Sequence, residues 1–94
     1  MDTKIIGLGQ AVIETKGNEW ALEGVPVPGM KSTDRVFLTT AVTNGGSGPK
    51  TKGPLYCAFV DEKRDNGFDC LVYDIQANPF NVTILVDWLV VGVR

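Results

Sequence analysis

Few side chains in this chain have the means to do chemistry. They are the cysteines Cys57 and Cys70, the strand-like aspartates Asp69, Asp74 and Asp87, and a glycine-rich run from Gly45 to Thr51. Paired carboxylates do acid–base work when they share a cleft. Period-2 alternation sets Asp69 and Asp74 on opposite faces of one strand. Asp87 stands in an otherwise apolar stretch, where a charge blocks runaway strand pairing or accepts a hydrogen bond from a partner group. The chain has no histidine, which removes the commonest general base and the usual nucleophilic triads. Two cysteines fall short of the ligand sets of structural and catalytic zinc. Cys57 and Cys70 flank the Asp61–Gly67 segment, so they either face one another as a disulfide or remain two buried free thiols.

The motifs that resemble ligand-binding loops fail on their details. In Gly45-Gly46-Ser47-Gly48-Pro49-Lys50-Thr51, Pro49 removes an N–H from what would be a phosphate cradle, and no helix pattern follows. Gly7-Leu8-Gly9 has Val12 where a dinucleotide fingerprint needs its third glycine. The acidic Asp61–Gly67 segment places Arg64 where a calcium loop needs an oxygen ligand. Asn81-Val82-Thr83 matches a glycosylation sequon in form only. No catalytic, cofactor-binding or metal-binding residue is therefore expected, and the chain is not expected to be an enzyme.

The elements that hold these residues follow from composition and pattern. Ninety-four residues at 44% hydrophobic make one domain over residues 1–94, small enough that oligomerisation would help to cover its core. A net charge of −2 without a basic stripe argues against nucleic acid as a partner. The start of the chain lacks the charged-then-apolar design of a signal peptide, so a cytoplasmic location at synthesis is expected. Residues 1–8 read as an N-terminal arm. Gly9–Thr15 alternates up to the turn signal Lys16-Gly17-Asn18 and predicts a first hairpin with Trp20–Val27, whose Pro26 and Pro28 end that strand or put it at an edge. Asp34–Val42 is the next strand, with Val36 and Leu38 on its core face.

Asn44–Pro54 holds four glycines and two prolines in eleven residues and predicts a flexible surface loop. Leu55–Val60 and Phe68–Ile75 form a hairpin about the charged turn Asp61–Gly67, and a further turn at Gln76–Phe80 leads into the last strand. No stretch carries a sustained 3.6-residue period. The fold class is all-β: an antiparallel sandwich or jelly-roll-like barrel of about six to eight strands.

The last fourteen residues, Asn81–Arg94, organise the rest, because both faces of this strand are apolar. Val82, Ile84, Val86, Trp88 and Val90 share one face, expected in the core, while Leu85, Leu89, Val91 and Val93 surround Asp87 on the other. The apolar run is too short and too charged to span a bilayer, which takes about 20 residues, so no membrane partner is expected. Leu85, Asp87, Leu89, Val91 and Val93 are therefore candidates for an interface with further copies of the chain. The alternatives are that Ile5-Ile6 or Leu22 folds over that face within one chain, or that the two faces are exchanged.

The series Gly9-x-Ala11-Val12-Ile13, Val25 and Val27, Asp34-Arg35-Val36-Phe37-Leu38-Thr39, Leu55-Tyr56, Gly67-Phe68-Asp69 and Val82-Thr83-Ile84-x-Val86-Asp87-Trp88-Leu89-Val90 resembles a small β-module of bacteriophage tail-fibre and other virion proteins. It is also similar, more loosely, to H-type lectin domains. The resemblance implies a homotrimer, or a hexamer in the lectin case, packed through one sheet face, in a virion assembled in the host cytoplasm. It implies a decoration, fibre or tail component of a phage or prophage, with other virion proteins or a surface glycan as partners. The chain departs from these modules in its long Asn44–Pro54 loop and in lacking an obvious sugar-binding cluster. The lectin-like alternative rests on Trp20, Tyr56 and Tyr73 as stacking residues, since aromatic faces suit the C–H surfaces of sugars.

Overall fold

In the computed structural model, which describes residues 1–42, 56–74 and 83–94, alternating β-branched and aromatic residues build six strands and no helix. They are β1 (Thr3–Glu14), β2 (Trp20–Pro26), β3 (Arg35–Val42), β4 (Tyr56–Arg64), β5 (Gly67–Asp74) and β6 (Thr83–Val93). Two antiparallel three-stranded sheets form, in the orders β1-β6-β3 and β2-β5-β4. This is the all-β architecture of a small β-sandwich. The expected loop Asn44–Pro54, the turn Gln76–Phe80, and Leu55, Ile75 and Val82 lie outside the described residues, as do the side chains of Ala41, Val42, Tyr56 and Asp74.

The core is what alternation dictates. Ile84, Val86 and Val90 of β6 are fully buried and meet Phe68, Cys70 and Val72 of β5 from the other sheet, with Ile13, Val25, Val27 and Met30 closing around them. Trp88 joins the same side and stands edge-on to Phe68, with ring centroids 5.9 Å apart at 77°. Its indole lies over β1 at Gly7 and Gly9: a Cβ on Gly9 would come within 2.7 Å of the indole ring. The glycines that fail as a nucleotide fingerprint are thus the seat of the tryptophan. Gly9→Val is expected to push the indole out and to flatten the near-ultraviolet circular dichroism of the Trp88–Phe68 pair while leaving the far-ultraviolet β signal in place.

Three expectations are corrected, and the alternative left open for the two cysteines is decided. The N-terminal arm is mostly strand, since β1 begins at Thr3 and pairs Thr3 with Val93 and Leu8 with Leu89; a bulge at Ile6 and the two glycines hide its alternation from the sequence. The first hairpin does not form, because β1 pairs with β6 and β2 with β5. The turn there, with positive φ at Lys16 and Gly17, carries the chain from one sheet to the other. The β4–β5 hairpin does form, but its turn is only Asp65-Asn66, and Asp61–Arg64 belong to β4. Asn66, at φ 68°, rather than Gly67 takes the left-handed conformation. Finally, Cys57 stands across from Tyr73 while Cys70 stands across from Val60. The two thiols therefore point to opposite sides of one sheet, and both are free.

Candidate functional site

A clasp fixes one end of the sandwich. Asp34, with 3% of its surface exposed, accepts from the Arg94 guanidinium at 3.0 and 2.8 Å and from the Lys31 N–H at 2.8 Å. Lys63 Nζ donates to the Asp34 carbonyl at 2.7 Å, and Arg94 also donates to the Gly29 carbonyl at 3.1 Å. The Arg94 hydrogen bond, helped by that from Lys31 and opposed by burial, holds the Asp34 carboxyl at about 2. A hollow of about 630 Å³ lies beside it, lined by Lys31, Arg35, Phe37 and Val91 among others. The hollow's one carboxylate is committed to Arg94, so this is a structural joint with no free acid–base couple.

Among the described residues, Cys70, Asp69 and Asp87 are occupied too. Burial pushes the Cys70 thiol up to about 11, with Glu23 adding to the effect, so it stays protonated at neutral pH. Asp69 is held below the usual carboxylate range by Arg64, 2.7 Å away on the outside of the second sheet. Asp87 lies on the outside of the first sheet and accepts from Gln10 Nε2 at 2.9 Å. Among the described residues no three His, Cys, Asp or Glu side chains gather to hold a metal ion.

The surface is more informative than the hollows. On the outside of β1-β6-β3 the register sets out rows across the sheet: Ile5, Val91 and Arg35; Leu8, Leu89 and Phe37; Gln10, Asp87 and Thr39; Val12 beside Leu85. The sequence candidates Leu85, Asp87, Leu89, Val91 and Val93 all lie on this outer face, as expected. Sequence reasoning missed that Ile5, Leu8, Val12 and Phe37 extend it, each more than half exposed. Ile5 does not cover the β6 side chains but continues their face, and Leu22 belongs to the other sheet.

Comparison with protein-family models, with curated proteins and with solved structures finds no match.

The outside of β2-β5-β4 bears a second, smaller apolar group. Trp20 stands opposite Tyr73 and Leu22 opposite Leu71, with Phe59 next in that row. Phe59 meets Tyr73 edge-on, with centroids 5.7 Å apart, and a hydrogen bond with Cys57 pushes the Tyr73 phenol above its usual range. Of the aromatic candidates, the fold brings Trp20 and Tyr73 together; Tyr56 pairs through its backbone with Asp74, one position further along.

Proposed function

We propose that this chain is a structural subunit that assembles with copies of itself, as a homotrimer, through the outer face of β1-β6-β3. One observation carries the reading: a sheet face on which Ile5, Leu8, Phe37, Leu89, Val91, Val12 and Leu85 lie together, crossed by the polar row Gln10, Asp87 and Thr39 and bounded by Arg35 at one end and by Glu14 and Thr83 at the other. Soluble monomers rarely expose a contiguous apolar patch beyond a few hundred Å². Each large side chain covered there contributes roughly 1.5–3 kcal/mol. Gln10 already satisfies part of the Asp87 carboxylate, which lessens the cost of enclosing that charge. The virion setting, as a fibre, tail or decoration component, rests on the resemblance described above. Leu89→Lys tests the assembly, because it puts a charge in the middle of the face without touching the core. Sedimentation is expected to give a multiple of 10.2 kDa for the wild type and the single-chain mass for the variant, both with the same circular dichroism. A wild type that sediments as one chain at micromolar concentration sinks the proposal.

A second reading, lectin-like binding of a surface glycan, is favoured by Trp20, which is 58% exposed and directly across from Tyr73. Its test is quenching or enhancement of tryptophan fluorescence by neutral sugars, lost in Trp20→Ala. An unchanged spectrum across a sugar panel ends it.

A further inference from the structure

The edges of the two sheets are guarded differently. β2 carries Glu23 and Pro26, and β4 carries Asp61, Glu62, Lys63 and Arg64 with a bulge at Asp61, devices that discourage another strand from adding on. By contrast, residues 5–13 of β1 and 36–42 of β3 contain no charge and no proline, and the bulge of β1 lies near its start, at Ile6. Among the described residues both strands bond only to β6. The second sheet seals neither flank. A groove of about 320 Å³ runs between residues 10–12 of β1 and 23–26 of β2, and one of about 250 Å³ between Val36 and residues 60–63 of β4. The two unguarded edges thus bound the same sheet whose outer face is apolar, and they run the same way, because each is antiparallel to β6.

We infer that β1 of each copy pairs in parallel with β3 of the next around a three-fold axis, closing three sheets into one nine-stranded barrel whose lumen is lined by the apolar outer face. This rests on the self-assembly reading and adds how the copies join. The partner is a second copy because one chain supplies both halves of the joint: an open β1 and an open β3 of the same polarity, which rotation about an axis along the strands brings together. A foreign strand would cover one edge and leave the other bare. Closure also selects the number. A closed sheet of about eight strands has an interior that side chains just fill. With three strands per sheet, two copies give six and a lumen too narrow for Phe37 and Leu89, four give twelve and an open channel, and three give nine. An even stagger at each joint keeps Ile5, Leu8 and Val12 inside with Leu89 and Phe37, and pairing satisfies the outward backbone groups of both edges. Closure also brings the three Asp87 carboxylates into one lumen. Each keeps its hydrogen bond from Gln10, and their mutual repulsion opposes assembly.

Amide hydrogen exchange, measured alongside sedimentation, tests this. An edge strand donates only alternate N–H groups to its neighbour. Every second amide of residues 7–13 and 36–42 is therefore expected to exchange fast in Leu89→Lys, and in the wild type diluted until it sediments as one chain. In the assembled wild type, at three times 10.2 kDa, the same amides of both strands are expected to be slowed about a hundredfold or more. Asp87→Asn is expected to tighten the trimer about tenfold, since it removes the repulsion in the lumen. A trimer whose β1 and β3 amides still alternate would overturn the barrel and leave the face contact standing. A two-chain particle protected at one edge alone would overturn the barrel and the trimer together, and a single chain at micromolar concentration would overturn the self-assembly reading as well. Protection that persists in the single chain would mean that the edge is covered from within and would end the proposal, as would an Asp87→Asn trimer no tighter than the wild type.

Discussion

Arg94→Ala is expected to lower the unfolding free energy by about 3 kcal/mol at neutral pH, through the Asp34 carboxylate that it leaves buried and unpaired. The low end of the range for broken buried pairs applies, because Arg94 itself keeps 27% of its side chain in water and the Lys31 N–H still reaches the carboxylate. Asp34→Asn loses the ion pair but leaves the cation free to hydrate, so its cost is expected to be smaller. The pair also sets an acid limit. Asp34 titrates at about 2 when folded against 3.8 for the ordinary side chain. A depressed folded value means that the stabilisation is complete above about pH 4 and is lost as pH falls through 3.8 toward 2. Urea unfolding at pH 7 and pH 2.5 is expected to show this loss in the wild type and a reduced loss in Asp34→Asn. Equal pH dependence in the two proteins would exclude Asp34 as its source.

Trp88→Ala is the second large effect, again about 3 kcal/mol, at the lower end for a buried aromatic because the indole is only partly enclosed. The cavity would open between Phe68 and the bare backbone of Gly7 and Gly9, none of which can fill it. Trp20→Ala gives the contrast. The same residue type, more than half exposed on the other sheet, is expected to change stability by no more than about 0.5 kcal/mol. Denaturant midpoints at constant slope separate the two; equal losses would mean that the indole of Trp88 is not held between the sheets.

The two-sided character of β6 was legible because alternation is local: Ile84, Val86 and Val90 are buried where the pattern puts them, and Leu85 and Leu89 face outward. The β4–β5 hairpin was legible for the same reason, through Asn66-Gly67. Pairing partners were not. Lys16-Gly17-Asn18 has the residues of a hairpin turn, yet the same positive-φ chemistry serves a crossing between sheets, and only the distant β5 and β6 decide between them. The Asp34–Arg94 joint joins residues 60 positions apart, a relation no spacing rule encodes. The outer face was half seen. Its β6 side chains were named, whereas Ile5 and Leu8 were concealed by the bulge at Ile6 and by glycines whose purpose appears only beside Trp88.

The position of β6 also governs how the protein is made. β1 and β3 do not pair with each other; each waits for the same strand, which leaves the ribosome some forty to eighty residues after them. Until then both present unpaired backbone and apolar side chains, while among the described strands only β4 and β5 can close locally as a hairpin. Such non-local pairing folds slowly, on the scale of milliseconds to seconds, and nascent strands emerging close together on one message can meet before their own β6 arrives. On the proposed self-assembly, assembly and misassembly would compete for the same surfaces, and slower translation between β3 and β6 is expected to lower the yield.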